Sequence, residues 1–305
     1  MSKIKNKQQT ISGEVTLENI FGTINVRRLF KQIAFNVKIL NMVNNPQVTN
    51  VHGIQVGTSE TIRLLSNNDN KWFDWLAGLI DGDGCFLLSK KGYASLEITM
   101  DMKDSRCLYN VKQKLGGSVK RRSGVKAIRY RLHDYKNLLF LLLNLNGRIR
   151  NPTRQIQFSR LCNYYKINFK FPDPLTYENG WLAGFFDSDG TITINKSNLQ
   201  LSISIFQKSS ELLNNLKILY GGYVYIDRSL NGGFKWYLTS RIEIESLINN
   251  YFKNYPSRAT SKCNRLHLVP DFYFIKTLDV DPIVKNNMWI IFFKKWLHYY
   301  EDLTD

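Results

Sequence analysis

The sequence predicts an α+β fold made of two similar halves, each an antiparallel sheet with helices on one face. A ten-residue segment that begins at Trp75 recurs 106 positions later at Trp181, and the flanking residues recur with it. After each copy, apolar residues alternate with a period of two in short runs, and other stretches have helical spacing. Each half is therefore predicted as helix, two strands, helix, two strands and helix.

The repeat extends well beyond the motif Trp75-Leu-Ala-Gly-Leu-Ile-Asp-Gly-Asp-Gly84 and its copy Trp181-Leu-Ala-Gly-Phe-Phe-Asp-Ser-Asp-Gly190. Gly116-Gly117 corresponds to Gly221-Gly222, and Ile149 to Arg154 corresponds to Ser257 to Lys262, at offsets of 105 and 108. Offsets that drift so little indicate a duplicated domain. The predicted division is an N-terminal extension (1–70), a first half (71–170) and a second half with a C-terminal helix (171–305). The polar run 66–70 is predicted to be a linker.

The predicted elements follow each motif in the same order. In the second half, Leu199 to Ile205 alternates as a strand, and Ser210 to Tyr220 has helical spacing that ends at Gly221-Gly222. The other predicted strands are 191–195, 223–226 and 234–239, and in the first half 85–90, 94–102, 118–122 and 127–133 around a helix over 104–115. Residues 289–296 predict an amphipathic helix that docks on the core.

Composition and patterning favour a nucleic-acid partner. The chain has 42 Lys+Arg against 25 Asp+Glu, a net charge of +17, and its four cysteines show no CxxC spacing, which argues against a zinc site or a disulfide framework. The most apolar run, 138–145, is far shorter than a bilayer span. One face of each sheet is predicted to be polar and to read bases in the DNA major groove. The predicted DNA-contacting residues are Lys120, Arg122, Arg129, Arg131, Thr193, Asn195, Gln200, Ser202, Ser204, Arg228, Lys235 and Tyr237.

Each motif predicts an apolar helix that ends in two carboxylates, Asp81 and Asp83 or Asp187 and Asp189. Glycine inside a helix costs about 1 kcal/mol relative to alanine, so Gly78 and its copy predict a close approach of two helix backbones. Acids at a helix C-terminus are unfavourable, and parallel helices would bring both pairs together. A divalent cation would offset this repulsion, and oxygen ligands suit Mg²⁺. Asp-Gly-Asp-Gly is also good turn chemistry, but two copies in register favour the metal.

The doubled motif closely resembles that of the LAGLIDADG homing endonucleases in their single-chain, group I intron-encoded form, over about residues 72–275. The resemblance implies two αββαββα halves about a pseudo-twofold axis, with paired motif helices and an antiparallel β-saddle over DNA, the helices on its outer face. It implies that Asp83 and Asp189 bind catalytic metal, that Gly82 and Ser188 also belong to the metal site, and that the preceding acids are structural. Two or three Mg²⁺ ions are implied, with Mn²⁺ as a substitute and Ca²⁺ binding without supporting cleavage.

The resemblance also implies the reaction, which is hydrolysis of one phosphodiester in each strand of double-stranded DNA, leaving 3′ overhangs. The family's glutamine corresponds to Gln207 in the second half but to Met102 in the first, so unequal cutting of the two strands is expected. The basic catalytic residue of the first half is Arg150 or Arg154, with Arg258 or Lys262 as its counterpart in the second. We expect a monomer in a mitochondrion or another organelle, with no membrane association and no obligate protein partner.

Two other functions fit the same composition. The first is an RNA-binding maturase that assists its host intron RNA with the same fold, and the second is a DNA-binding regulator with a decayed site. Retention of Asp83 and Asp189 favours the nuclease, because a pure binding protein needs no mutually repelling acids. An intein is not expected, because the sequence shows no His-Asn splice junction.

Overall fold

The computed structural model describes residues 67–228 and 232–301, so the predicted N-terminal extension lies outside the described residues up to position 66. The first half consists of α1 (Asn67–Asp83), β1 (Gly84–Leu88), β2 (Ala94–Asp101), a 3₁₀ turn (Met102–Asp104), α2 (Ser105–Leu115), β3 (Ser118–Arg121), β4 (Ala127–Leu132), α3 (Tyr135–Leu145) and α4 (Pro152–Tyr165). The second half consists of α5 (Trp181–Asp189), β5 (Gly190–Asn195), β6 (Gln200–Gln207), α6 (Glu211–Tyr220), β7 (Tyr223–Ile226), β8 (Phe234–Leu238), α7 (Arg241–Ser246) with a π-helical turn (Leu247–Phe252), α8 (Thr260–His267), α9 (Val269–Thr277) and α10 (Pro282–Glu301).

Both halves contain a four-stranded antiparallel sheet with the same topology. The strand orders are β1-β2-β4-β3 and β5-β6-β8-β7. This arrangement confirms the predicted α+β class with two repeated halves. Paired residues share a sheet face, and the pairs Ile98–Tyr130 and Ile205–Trp236 lie on the buried face of their sheets. The opposite face of each sheet carries the polar residues that alternate with them.

Local sequence signals set the ends of several helices. Asp134 caps α3 by accepting a hydrogen bond from the backbone N–H of Asn137 at 2.9 Å. Asn151 caps α4, and Pro152 occupies the first turn, where its missing N–H costs nothing. Gly116 and Gly221 follow α2 and α6 with φ of 74° and 80°, a backbone region that favours glycine. These signals explain why the predicted helix ends lie so close to the observed ones.

The C-terminal helix α10 docks on the core, as the sequence predicts. Phe292 and Trp296 are buried, and Phe292 packs against Phe272 of α9 with ring centroids 6.0 Å apart. The prediction of a linker over 66–70 is wrong from Asn67 onward, because those polar residues form the first turn of α1. Nowhere in 67–228 or 232–301 is there a helix both long and apolar enough to cross a bilayer.

Candidate active site between the motif helices

The two motif helices, α1 and α5, pack side by side in parallel. A methyl group added at Gly78 would lie 2.0 Å from the carbonyl oxygen of Trp181, and one at Gly184 would lie 1.7 Å from that of Trp75. Nearer the C-terminal ends, a methyl group at Gly82 would lie 2.7 Å from a carboxylate oxygen of Asp189. The backbones therefore touch where the motif has glycine, and the acidic ends of both helices converge.

The first acid of each motif binds the tryptophan of the other. Trp75 Nε1 donates to Asp187 Oδ2 at 2.8 Å, and Trp181 Nε1 donates to Asp81 Oδ2 at 2.7 Å. Both carboxylates are buried, and burial raises the pKa of Asp81 to about 7 and raises that of Asp187 above its usual range. These crossed hydrogen bonds tie the two halves together at their interface.

Backbone groups from the late segment of each half complete these two buried sites. The amide of Arg150 donates to Asp81 at 2.8 Å, and the amide of Arg258 donates to Asp187 at 2.7 Å. Asp187 also accepts a short hydrogen bond from the hydroxyl of Ser257. The geometry therefore gives the first acids an architectural position, in line with the expectation that they are structural.

The last acids, Asp83 and Asp189, lie at the C-terminal ends of the two helices. Burial, and then the nearby Asp189 carboxylate, raises the pKa of Asp83 to about 7. Burial also raises the pKa of Asp189, against a 2.6 Å hydrogen bond from Gln207 Nε2 that favours its ionised form. In the first half the position equivalent to Gln207 is the partly buried Met102, which has no group to donate.

The structure distinguishes between the two basic pairs that the sequence leaves open. Lys262 Nζ donates to the carbonyls of Phe186, Asp187 and Ser188 at 3.0, 2.7 and 2.8 Å, and so caps the C-terminus of α5. Arg154 Nη2 makes the equivalent contact to the carbonyl of Gly82 on α1, at 3.1 Å. Both positive groups act on the Asp83 and Asp189 carboxylates and partly offset the rise in pKa that burial causes.

The other two predicted basic side chains point elsewhere. Arg150 donates to the backbone carbonyl of Asp173 at 2.7 Å, and the Arg258 guanidinium lies 4.8 Å from the centroid of the Trp75 ring. Burial lowers the pKa of Lys262, while the surrounding carboxylates oppose that shift. Of the four basic candidates, Arg154 and Lys262 are thus the ones with side chains beside the last acids.

The donor set at the helix ends suits a hard divalent cation. Two buried carboxylates of like charge, each at the negative end of a helix, would be stabilised by a cation between them. The carbonyls of Gly82 and Ser188 already accept hydrogen bonds from Arg154 and Lys262. Across the part of the chain that the structure describes, His, Cys, Asp and Glu side chains form no group of three or more that could hold an ion. Asp83 and Asp189, which converge at the helix ends, stay the predicted metal ligands, with Gly82 and Ser188 as further predicted residues of the site.

The polar face of the first sheet brings three of its four predicted DNA contacts together. Lys120 pairs with Arg129 in the strand register, and Arg131 pairs with Glu97, so these side chains share one face. Glu97 forms ion pairs with Arg129 at 3.1 Å and with Arg131 at 2.6 Å. Sequence reasoning missed Glu97, although its place on strand β2 opposite two arginines was a usable signal. Arg122 lies one residue beyond β3.

The polar face of the second sheet combines short side chains on β5 and β6 with larger ones, Tyr223, Tyr225, Lys235 and Tyr237, on β7 and β8. Ser202 and Ser204 are only 5% and 4% exposed, and the Ser202 hydroxyl lies 2.9 Å from that of Thr193. Both serines are predicted to contact DNA, but in this structure neither is exposed on the polar face. The longer predicted contacts are Lys235 and Tyr237 on β8, Asn195 and Gln200 near the β5–β6 turn, and Arg228 after β7.

Comparison with known proteins supports a relationship across most of the chain. The sequence profile described as LAGLIDADG endonuclease matches residues 76–165 and 182–273. The chain is 35% identical to the intron-encoded RNA maturase bI4 of Saccharomyces cerevisiae, over 97% of this chain and 51% of the relative. It is 38% identical to the intron-encoded DNA endonuclease ai2a of Dictyostelium discoideum, over 75% of this chain and 76% of the relative. The chain thus spans about half the length of the maturase.

Solved structures share the fold at low sequence identity. A mutant of I-SmaMI superposes with a TM-score of 0.57 at 18% identity, over 76% of this chain and 99% of that one. The LAGLIDADG homing endonuclease I-LtrWI, bound to its target DNA, gives 0.55 at 18% identity, over 77% and 98% of the two chains. These similarities confirm the two-halved architecture.

Proposed function

This chain belongs to the LAGLIDADG endonuclease family, and we propose that it hydrolyses both strands of a long double-stranded DNA site with a divalent metal ion, leaving 3′ overhangs. The observation that carries the proposal is the convergence of Asp83 and Asp189 at the ends of the paired helices α1 and α5. Two buried, mutually repelling carboxylates contribute nothing to binding a polyanion. A related protein of similar sequence is named a DNA endonuclease, which supports the same reaction here.

The residues at the helix ends would have different roles in this reaction. Asp83 and Asp189 would hold Mg²⁺, with Mn²⁺ as a substitute and Ca²⁺ binding without supporting cleavage. A bound divalent ion activates water and stabilises the leaving oxygen. Gln207 orients the Asp189 carboxylate, while Lys262 and Arg154 neutralise the ends of α5 and α1 and bring positive charge toward a scissile phosphate.

The two polar sheet faces would hold the duplex on either side of these acids. Lys120, Arg129 and Arg131 offer groups that bind phosphates and guanine edges. Arg129 and Arg131 are ion-paired with Glu97, so DNA would compete with this carboxylate for them. Binding should therefore weaken steeply with added salt, since each phosphate contact releases counterions.

Cleavage of a duplex library that includes the intron-insertion junction of the native locus tests the proposal. We expect double-strand cutting with Mg²⁺ and none with EDTA, and Asp83→Asn and Asp189→Asn should each abolish cutting or reduce it to nicking. Asp271→Asn, on an exposed carboxylate of α9, is the matched control and should cut normally. Tight binding by the wild type without cutting in any divalent metal would overturn the nuclease proposal.

A second candidate function is an RNA maturase for the host intron. It is favoured by one observation, the 35% identity over 97% of this chain to a protein named an RNA maturase. Competition between the duplex target and the surrounding intron RNA separates the two functions. Preferential binding of the RNA, with splicing that depends on the protein, would establish the maturase role alongside or in place of cleavage.

Assembly and location follow from the same relationships. We propose a monomer without an obligate protein partner, because one chain supplies both motif helices, with the halves divided near residue 170. Sedimentation at working concentration should give the mass of a single chain. We further propose a mitochondrion or another organelle as the location, because the related proteins are named as intron-encoded. Fractionation of the source cells would check this.

A further inference from the structure

The helices that carry the two basic residues begin differently in the two halves. In the first half, Asn151 is the N-cap of α4, and its side chain accepts a hydrogen bond from the Thr153 amide at 3.0 Å. The equivalent position in the second half is Ala259, which has no side-chain acceptor, and α8 begins without a side-chain N-cap of its own. The N-terminus of α8 therefore needs an acceptor from elsewhere.

Asp104 of the first half supplies that acceptor. Its Oδ1 accepts a hydrogen bond from the Ser261 amide at 3.0 Å, and the Ser261 hydroxyl lies 3.0 and 3.1 Å from its two carboxylate oxygens. Ser261 is the second residue of α8, the position whose amide an N-cap side chain normally binds. The carboxylate also faces the positive end of the helix. Asp104 is 3% exposed and Ser261 1% exposed, so water does not compete for this contact.

Lys262 follows Ser261 directly, so both residues lie in the first turn of α8. From this turn the Lys262 side chain reaches the three carbonyls at the end of α5. The pseudo-symmetric contact does not exist in the first half. There Ser209 corresponds to Asp104 and Thr153 to Ser261, and both are exposed.

We propose that Asp104 is a positioning residue for Lys262, a role that rests on the proposed nuclease function. A first-half carboxylate caps α8 across the interface and so holds the second half's basic side chain beside Asp189. The first half keeps its own Asn151 cap and Arg154, and does not depend on Asp104 in this way. Asp104 also acts electrostatically on Asp83, as one of the carboxylates that raise its pKa, but only the second half loses a helix cap, so loss of Asp104 should slow one strand of the target more than the other.

Strand-resolved cleavage of a duplex labelled at both ends tests the proposal. Asp104→Ala should slow the strand that Lys262→Met slows by about fivefold or more, as loss of an N-cap predicts, and should leave the other strand within about twofold. In a Lys262→Met background Asp104→Ala should have no further effect, because both act through one group. Ser209→Ala is the matched control and should change neither strand.

A local cap should replace the missing carboxylate. Ala259→Ser adds one oxygen at the N-cap position, and in the Asp104→Ala background it should restore most of the lost rate. Should Asp104→Ala fail to fold, Asp104→Asn keeps an acceptor for the Ser261 amide, and its smaller effect should fall on the same strand. Equal slowing of both strands, further slowing in the Lys262→Met background, or no rescue by serine would each overturn the proposal.

Hydrogen exchange gives a readout that does not need cleavage. In the metal-free full chain, Asp104→Ala should speed exchange of the Ser261 amide by about fivefold or more, while the Thr153 amide, capped by Asn151, stays unchanged. A wild type that cuts no duplex would remove the nuclease function while leaving this result to stand. Unchanged exchange at Ser261 would show that Asp104 does not cap α8.

Discussion

The two halves share the residues that join them and differ in those around the last acid. Each half gives one tryptophan, one buried acid and one glycine to the interface, and the contacts are nearly identical in both directions. Around the last acids the halves diverge, with Gln207 opposite Met102 and three carbonyl contacts from Lys262 against one from Arg154. A shared interface constrains both copies at once, since each is the other's partner. The surroundings of each last acid carry no such mutual constraint and can diverge.

The shared interface is most sensitive at its glycines. Gly184→Ala should destabilise the protein by about 3 kcal/mol or more, because the added methyl group clashes with the backbone of Trp75. A backbone cannot relieve the clash by a rotamer change, as a side chain could. Gly78→Ala should cost nearly as much, since the same contact exists in reverse. Denaturant unfolding measures both.

Gly124→Ala is the control for these two variants. Gly124 has φ of 76° but no neighbour within 4 Å of an added methyl, so only backbone strain of about 1 kcal/mol is expected. A glycine variant at the interface that unfolds no more easily than this control would contradict the close packing of α1 against α5.

Removal of either tryptophan–aspartate hydrogen bond should cost less stability than the glycine variants, and the two losses should be unequal. Trp181→Phe should cost about 2 kcal/mol, because Asp81 would keep only backbone donors, those of Arg150 and Asn151, and one of its oxygens already lacks a partner among the described residues. Trp75→Phe should cost about 1 kcal/mol, because Asp187 keeps two other donors. Both variants replace a buried tryptophan, so their thermal unfolding temperatures can be compared directly. A larger loss for Trp75→Phe would contradict this assignment of partners.

The raised pKa values of the last acids predict that the stability of the metal-free protein depends on pH. The pKa of Asp83 is about 7 in the folded protein and 3.8 ordinarily, so folding favours its protonated form. This stabilisation is complete below about pH 4 and is lost as the pH rises to 7, a change of about 4 kcal/mol for this difference between the two pKa values. Unfolding in EDTA between pH 4 and 8 measures it, and Mg²⁺ should recover stability at pH 8.

Asp83→Asn should flatten this slope in part, leaving the share that belongs to Asp81, Asp187 and Asp189, whose pKa burial also raises. The exposed-acid variant Asp271→Asn should keep the full slope. A slope unchanged by Asp83→Asn would mean that this carboxylate is already ionised in the folded protein, and that no cation is needed to stabilise it.

The smallest expected effect concerns Met102 and Gln207, the equivalent positions near the last acid of each half. Met102→Gln gives the first half the donor that Gln207 provides in the second, and should speed the slower strand about threefold. Gln207→Met should slow the faster strand. Strand-resolved cleavage measures both, and the two variants should act on opposite strands. A common effect on one strand would show that the two positions are not equivalent.

Short-range patterns in the sequence predicted most elements to within one or two residues. The strand Tyr223–Ile226 matches its prediction, and β2 and β4 each end one residue earlier than expected. Alternating apolar residues in a strand and glycine at a helix end act within one segment. Tertiary packing therefore does not shift the elements that they predict. The close approach of α1 and α5 was also expected from the small residues of the motif. The polar run before Trp72 was misread, because a helix start in polar residues resembles a linker.

The sequence by itself determined the duplicated fold, the identity of the four motif acids and the basic character of the chain. Tertiary structure decided which basic side chains lie beside Asp83 and Asp189, that Glu97 binds two arginines, and that Asp104 caps a helix 157 positions away. Periodicity and spacing report what one segment does with its own side chains. A contact between distant segments depends on how two halves pack, and an alanine in place of an N-cap shows only that a partner is needed, not which one.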